Sequence, residues 1–138
     1  MKTIGIQIKS NEIILVVLLK DENGSITQTK ESSKFKVDDH NQQEQIKQFR
    51  NQVNSFFDSV GADKIAIVAR NAKGKGLMSP SPVSFKLEGV IQLYEKTQIE
   101  LVSKKTIDAY LKKNEKEITA EKILQNDSFD LAYYLIKN

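Results

Sequence analysis

Ile13 to Leu19, IILVVLL, is an unbroken apolar run bounded by Glu12 and Lys20. It is short, rich in β-branched residues and apolar at both parities. A strand of that kind is buried on both faces, so it sits centrally in a sheet with cover on each side. Just before it, Ile4, Ile6 and Ile8 alternate with Thr3, Gly5, Gln7 and Lys9. A period of two puts the isoleucines on one strand face. Ser10-Asn11 joins the two runs with turn-forming residue types. Thr3 to Leu19 therefore reads as a hairpin at the heart of the sheet.

The rest of the chain supplies the remaining strands and the cover. Asn23-Gly24 signals a second hairpin turn, and Ser25 to Val37 reads as a third strand, polar and lysine-rich as an exposed edge should be. From Gln43 to Val60 the period changes. Ile46, Phe49, Val53, Phe56, Phe57 and Val60 recur at three and four, a helical stripe ended by Gly61. Lys64 to Ala69 is again of strand length, and a strand after a helix implies a parallel crossover. Val83 to Thr97 reads as helix, with Ser81 at the N-cap and Pro82 at the first position. Ile99 to Val102 is a further strand, and Ser103 caps a short helix carrying Ile107, Tyr110 and Leu111. Lys112 to Thr119 is a charged connection, and Asp127 to Lys137 is the last helix. The order β-β-β-α-β-α-β-α defines a five-stranded mixed sheet covered by helices, one α/β domain over residues 1–138.

Composition removes several chemistries. With no cysteine there is no disulfide, thiolate metal site or cysteine nucleophile, and the one histidine, His40, lies in the polar stretch VDDHNQQ and reads as a solvated loop residue. The first apolar stretch is interrupted by Lys2, Lys9 and Glu12, unlike a secretory leader, so a cytoplasmic chain without a membrane partner is expected. A net charge of +3 is too small to indicate nucleic acid by itself, so local clustering has to do so.

The element order resembles the ribonuclease H-like fold. Two motifs resemble its RuvC-type Holliday-junction resolvase branch: Ile4-Gly5-Ile6-Gln7, where that branch has I-G-I-D, and Asp127-Ser128-Phe129-Asp130-Leu131-Ala132, similar to its D-x-x-D-A-L-A. PVSFKLEGVIQL with the KGKG loop before it is similar to an uncharacterised bacterial family, domain-of-unknown-function family 3010. The resemblance implies carboxylates gathered at the ends of the first and fourth strands and on the last helix, holding Mg²⁺ ions. Asp127 and Asp130 match the late-helix acids and are the candidate metal ligands and catalytic residues. Gln7 stands where the first-strand acid should be, and the fourth strand ends Val68-Ala69-Arg70 with no acid, which puts a cation near the metal position. Asp127 and Asp130 also suit a purely structural role, as acids in a first helical turn. Glu44 is a substitute ligand to consider, and Glu88 reads as structural.

The loop RNAKGKGLMSPSP holds Arg70, Lys73 and Lys75 around Gly74 and Gly76, and Lys86 follows one turn into the next helix. Ser79, Ser81 and Ser84 add hydroxyls. Glycines beside a helix start suit an anion, although neither a G-x-x-x-x-G-K-[ST] nor a G-x-G-x-x-G spacing is present. Tyr133 and Tyr134 are candidates to stack bases nearby. The expectation is a catalytically degenerate protein binding nucleic acid, or another phosphate-bearing ligand, through Arg70, Lys73, Lys75 and Lys86. Two alternatives belong to other classes. One is a Mg²⁺-dependent nuclease with an altered ligand set; the other is an interaction module, a homodimer, without phosphate chemistry.

Overall fold

The computed structural model describes residues 1–70 and 80–138. Strands β1 (Lys2–Lys9) and β2 (Glu12–Lys20) form the expected antiparallel hairpin, with Ile6 opposite Leu15. Ser10 takes a left-handed conformation (φ 56°) at the turn. β2 is covered on both sides: Ile13 to Leu18 are all buried.

The third strand is interrupted. β3 (Ile26–Gln28) and β4 (Ser33–Lys36) both pair antiparallel with β2, so six segments fill five strand positions. Between them, Thr29 donates its N–H to the Val17 carbonyl, and the Ser32 hydroxyl accepts from the Val17 N–H. A side chain replaces one rung of the ladder. The break explains why the sequence Thr29 to Ser32 lacks apolar anchors.

Helix α1 (Gln43–Val60) has the expected bounds and ends on Gly61, whose φ of 63° is left-handed and whose N–H bonds the Phe57 carbonyl. β5 (Lys64–Ala69) pairs parallel with β1, and β6 (Ile99–Ser103) parallel with β5, giving the order β3-β2-β1-β5-β6. Helix α2 (Pro82–Gln92) starts where expected but stops short of Thr97, because Leu93 to Gln98 leave the helix. Helix α3 (Lys104–Lys113) is capped by the Ser103 hydroxyl, which accepts from the Thr106 N–H. A 3₁₀ turn (Ile123–Gln125) leads into α4 (Asn126–Lys137).

The two faces have separate cores. On one, Ile4, Ile6 and Ile8 of β1 pack against Phe49, Val53 and Phe57 of α1 and Leu87 and Ile91 of α2. On the other, Val16 and Leu18 meet Phe129, Ala132 and Tyr133 of α4, and Ala66 and Val68 meet Ile107 of α3 with Leu131 and Leu135. The parallel strands β1, β5 and β6 end at one edge, where open α/β sheets bind ligands.

Candidate functional site

The alternation in β1 has a steric cause on the α4 side. Thr3, Gly5 and Gln7 face that helix in turn. The Thr3 hydroxyl donates to the Ala132 carbonyl (2.8 Å), and a Cβ on Gly5 would collide with the Ser128 carbonyl. Only glycine lets the helix lie this close. The Ser128 hydroxyl accepts from the Gln7 N–H (3.0 Å) and donates to the Ile14 carbonyl (2.7 Å), which pins the start of α4 to β1 and β2. α4 thus runs opposite to β1 and delivers Asp127 to the sheet's C-terminal edge.

Gln7 and Asp127 meet there. Gln7 Nε2 donates to Asp127 Oδ2 at 2.9 Å. The other carboxylate oxygen, Oδ1, lies 3.5 Å from Lys104 Nζ, and the same ammonium reaches Asp108 Oδ1 at 3.3 Å. Burial works to lower the Lys104 pKa, but the Asp127 charge and the bond to Asp108 outweigh it and leave the pKa raised. Asp130 has a partner of its own: Lys116 Nζ at 2.7 Å, in a pair whose side chains are 29% and 16% exposed. The two late-helix acids therefore hold different cations.

These residues do not fit a divalent ion. A metal needs oxygen ligands, yet Gln7 presents its N–H₂ to Asp127, and a lysine already bridges the nearest acids. Among the described residues, no three His, Cys, Asp or Glu side chains are grouped to hold a metal. Glu44 sits on α1, which packs on the opposite face, and pairs with Lys47 at 3.8 Å.

The basic residues are also redistributed. Arg70 Nη2 bonds Glu88 Oε1 of α2 at 2.8 Å, and the guanidinium lies 4.4 Å from the Phe85 ring centroid. This corrects the expectation of Arg70 beside the metal position. Its head lies with α2, on the Ile8 face, and the cation next to Asp127 is Lys104. Glu88, read from the sequence as structural, is the acid that holds Arg70. Lys86 Nζ donates to the His40 carbonyl (2.8 Å) and lies 2.9 Å from His40 Nδ1, so His40 is a contact of α2 and not merely solvated. Lys73 and Lys75 fall outside the described residues. Tyr133 is 1% exposed, stacked on Phe129, with its hydroxyl accepting from the Glu117 N–H, so it cannot stack a base. Tyr134 packs edge-on against Tyr110.

The sequence reading missed Lys104 and the face of α3 beside it. Ile107 is buried at 2% and seats the helix. At about 100° per residue, Lys105, Ala109 and Lys112 lie on the opposite side, and all three are exposed. Among the described residues neither lysine has a carboxylate within ion-pair distance, whereas Asp108 is engaged by Lys104. A signal was available: Ser103 as N-cap puts Lys104 and Lys105 in a first turn with no acid, against the helix dipole.

The fold is ribonuclease H-like, of the RuvC type. It is similar to Thermus thermophilus RuvC in complex with Holliday junction substrate, with a TM-score of 0.72 and 10% identity over 96% of this chain and 90% of that one. It is also similar to the fowlpox virus resolvase bound to Holliday junction DNA (TM-score 0.58, 14% identity, 99% of this chain and 97% of that one). The yeast mitochondrial Holliday junction resolvase Ydc2 shares it too (TM-score 0.58, 10% identity, 99% of this chain and 68% of that one). No curated protein matches in sequence. The chain belongs to the family described as a protein of unknown function, DUF3010, whose model matches residues 1–135.

Proposed function

We propose that this protein binds nucleic acid, or another phosphate-bearing ligand, without cutting it. The observation that supports this most is α3: a helix seated by Ile107, starting at the strand-end edge beside Asp127, whose exposed side carries Lys105 and Lys112 while its one acid, Asp108, is engaged by Lys104. Lys105 and Lys112 are about 10 Å apart along the axis at 1.5 Å per residue, with Ala109 and the Lys104-paired Asp108 between them. A face of repeated charge without apolar anchors suits a phosphate backbone better than an apolar partner surface. In sequence, Lys73 and Lys75 follow β5 and add two further candidate cations. Arg70 is a weaker candidate for the anion because Glu88 balances its charge. The solved proteins of this fold that bind junction DNA supply the class of ligand to try first. Cleavage is disfavoured because Asp127 and Asp130 each hold a lysine.

The test is fluorescence anisotropy with labelled duplex and four-way junction DNA in EDTA. Binding should persist without metal and weaken steeply with salt. Lys105→Ala/Lys112→Ala should flatten the slope of log K against log salt by about 1.8 on duplex, from ~0.9 per lost phosphate contact. Lys73→Ala/Lys75→Ala measures the loop's share. Absence of binding at low salt would overturn the proposal and favour the interaction module. One observation supports that second reading: neighbouring Ile123 and Leu124 are 86% and 63% exposed, apolar side chains open to a partner chain. A dimer that Ile123→Ser/Leu124→Ser makes monomeric would be its signature.

A further inference from the structure

We propose that Lys104 is the resident cation of this site: its ammonium lies between Asp108 and Asp127, neutralises the acid that faces Gln7, and closes the site to metal. The inference rests on the site geometry alone and stands whether or not the ligand is nucleic acid.

Three observations converge on it. The first is the direction of the Gln7 amide. Its N–H₂ points at Asp127 Oδ2 (2.9 Å), so among the described residues that carboxylate meets two donors, this amide and the Lys104 ammonium. A metal bound to Asp127 would favour the reverse, with the amide oxygen turned toward the cation. The second is charge. Asp108 and Asp127 together carry two negative charges, and Lys104, held 3.3 and 3.5 Å from them, cancels one. What remains is one negative charge, too little to hold a hard dication in competition with water. The third is position. Lys104 is the first residue of α3, where the helix dipole opposes a cation and no acid of that turn relieves it. Its contact with Asp108 is an i,i+4 pair within α3, and its contact with Asp127 is what ties it to the site.

An ammonium has three donors. Two point toward Asp108 and Asp127, and with the side chain 54% exposed the third is open to solvent. That donor can meet a phosphate oxygen, which lets Lys104 supply the electrostatic contact of a metal without its Lewis acidity.

The experiment is Mn²⁺ titration by calorimetry and by electron paramagnetic resonance of free Mn²⁺. It compares the wild-type chain with Lys104→Met and Lys104→Met/Asp127→Asn. Lys104 is half exposed, so Lys104→Met should fold, and circular dichroism checks it; Lys104→Gln is the second variant. The wild type should show no Asp127-dependent site. Lys104→Met or Lys104→Gln should bind Mn²⁺ at least about tenfold more tightly, ~1.4 kcal/mol, and the added Asp127→Asn should abolish the gain. Asp127-dependent Mn²⁺ binding by the wild type, or no gain in either lysine variant, would overturn the proposal.

Discussion

At the residue scale, Gly5 and Gln7 show how far one position can be read. Gly5 looked like one member of an alternating strand. Its necessity comes from the Ser128 carbonyl, more than a hundred residues away in sequence and invisible to local pattern. Because the obstacle is backbone on both sides, Gly5→Ala cannot be relieved by a rotamer change. It should destabilise the fold by about 3 kcal/mol or more, the upper range for overpacking, as measured by urea denaturation. Gln7 was legible as a departure from an acidic position, and its partner Asp127 as a matching acid. Lys104 was not, because its meaning depends on where β6 ends relative to α4. Tyr94 offers a separate check away from the site. Burial and then the Asp58 carboxylate push its pKa from 10.0 up to about 12. Between those values the folded state holds a proton that the unfolded state releases, so stability should fall as pH rises through that window. Asp58→Asn should lower the Tyr94 pKa, read from phenolate absorbance near the alkaline end of a titration.

At the element scale, strand and helix periods were the legible part. The bounds of α1 and β5 follow from their apolar patterns, and Ser103 and Ser81 mark helix starts as their residue types suggest. The discrepancies have local causes. The third strand breaks where Ser32 substitutes for backbone in bonding Val17, and α2 ends early while Tyr94 still reaches the core and bonds Asp58 (2.7 Å). The apolar periodicity ran on past the helix because buried contacts ran on. The Arg70–Glu88 pair couples β5 to α2, and with both side chains 14% exposed neither charge is easily left alone. Glu88→Ala should therefore cost about 3 kcal/mol, the low end for a broken buried pair. Arg70→Met/Glu88→Leu should cost less than that single change, as compared in a double-mutant cycle. A larger loss in the double variant would contradict the account of this contact.

At the scale of the whole molecule, the two cores lie on opposite sides of one sheet, and every parallel strand ends at the edge where Gln7, Asp127 and Lys104 meet. The fold was legible because its signals are local and repeated: a doubly apolar strand, alternating hairpins, then helices between strands. The site was only half legible. Its acids stand in a motif, but the cations that occupy them come from α3 and the connection after it, brought near by topology. The same architecture predicts that restoring one acid is not enough. Gln7→Asp should yield no Mg²⁺-dependent cleavage while Lys104 remains, as read on a denaturing gel with junction DNA. The most direct test of the central claim uses wild-type protein incubated with a labelled four-way junction and Mg²⁺, run in parallel on native and denaturing gels. The account predicts a retarded band on the first and intact strands on the second. Shortened strands that disappear with Asp127→Asn, or no retardation at low salt, would contradict it.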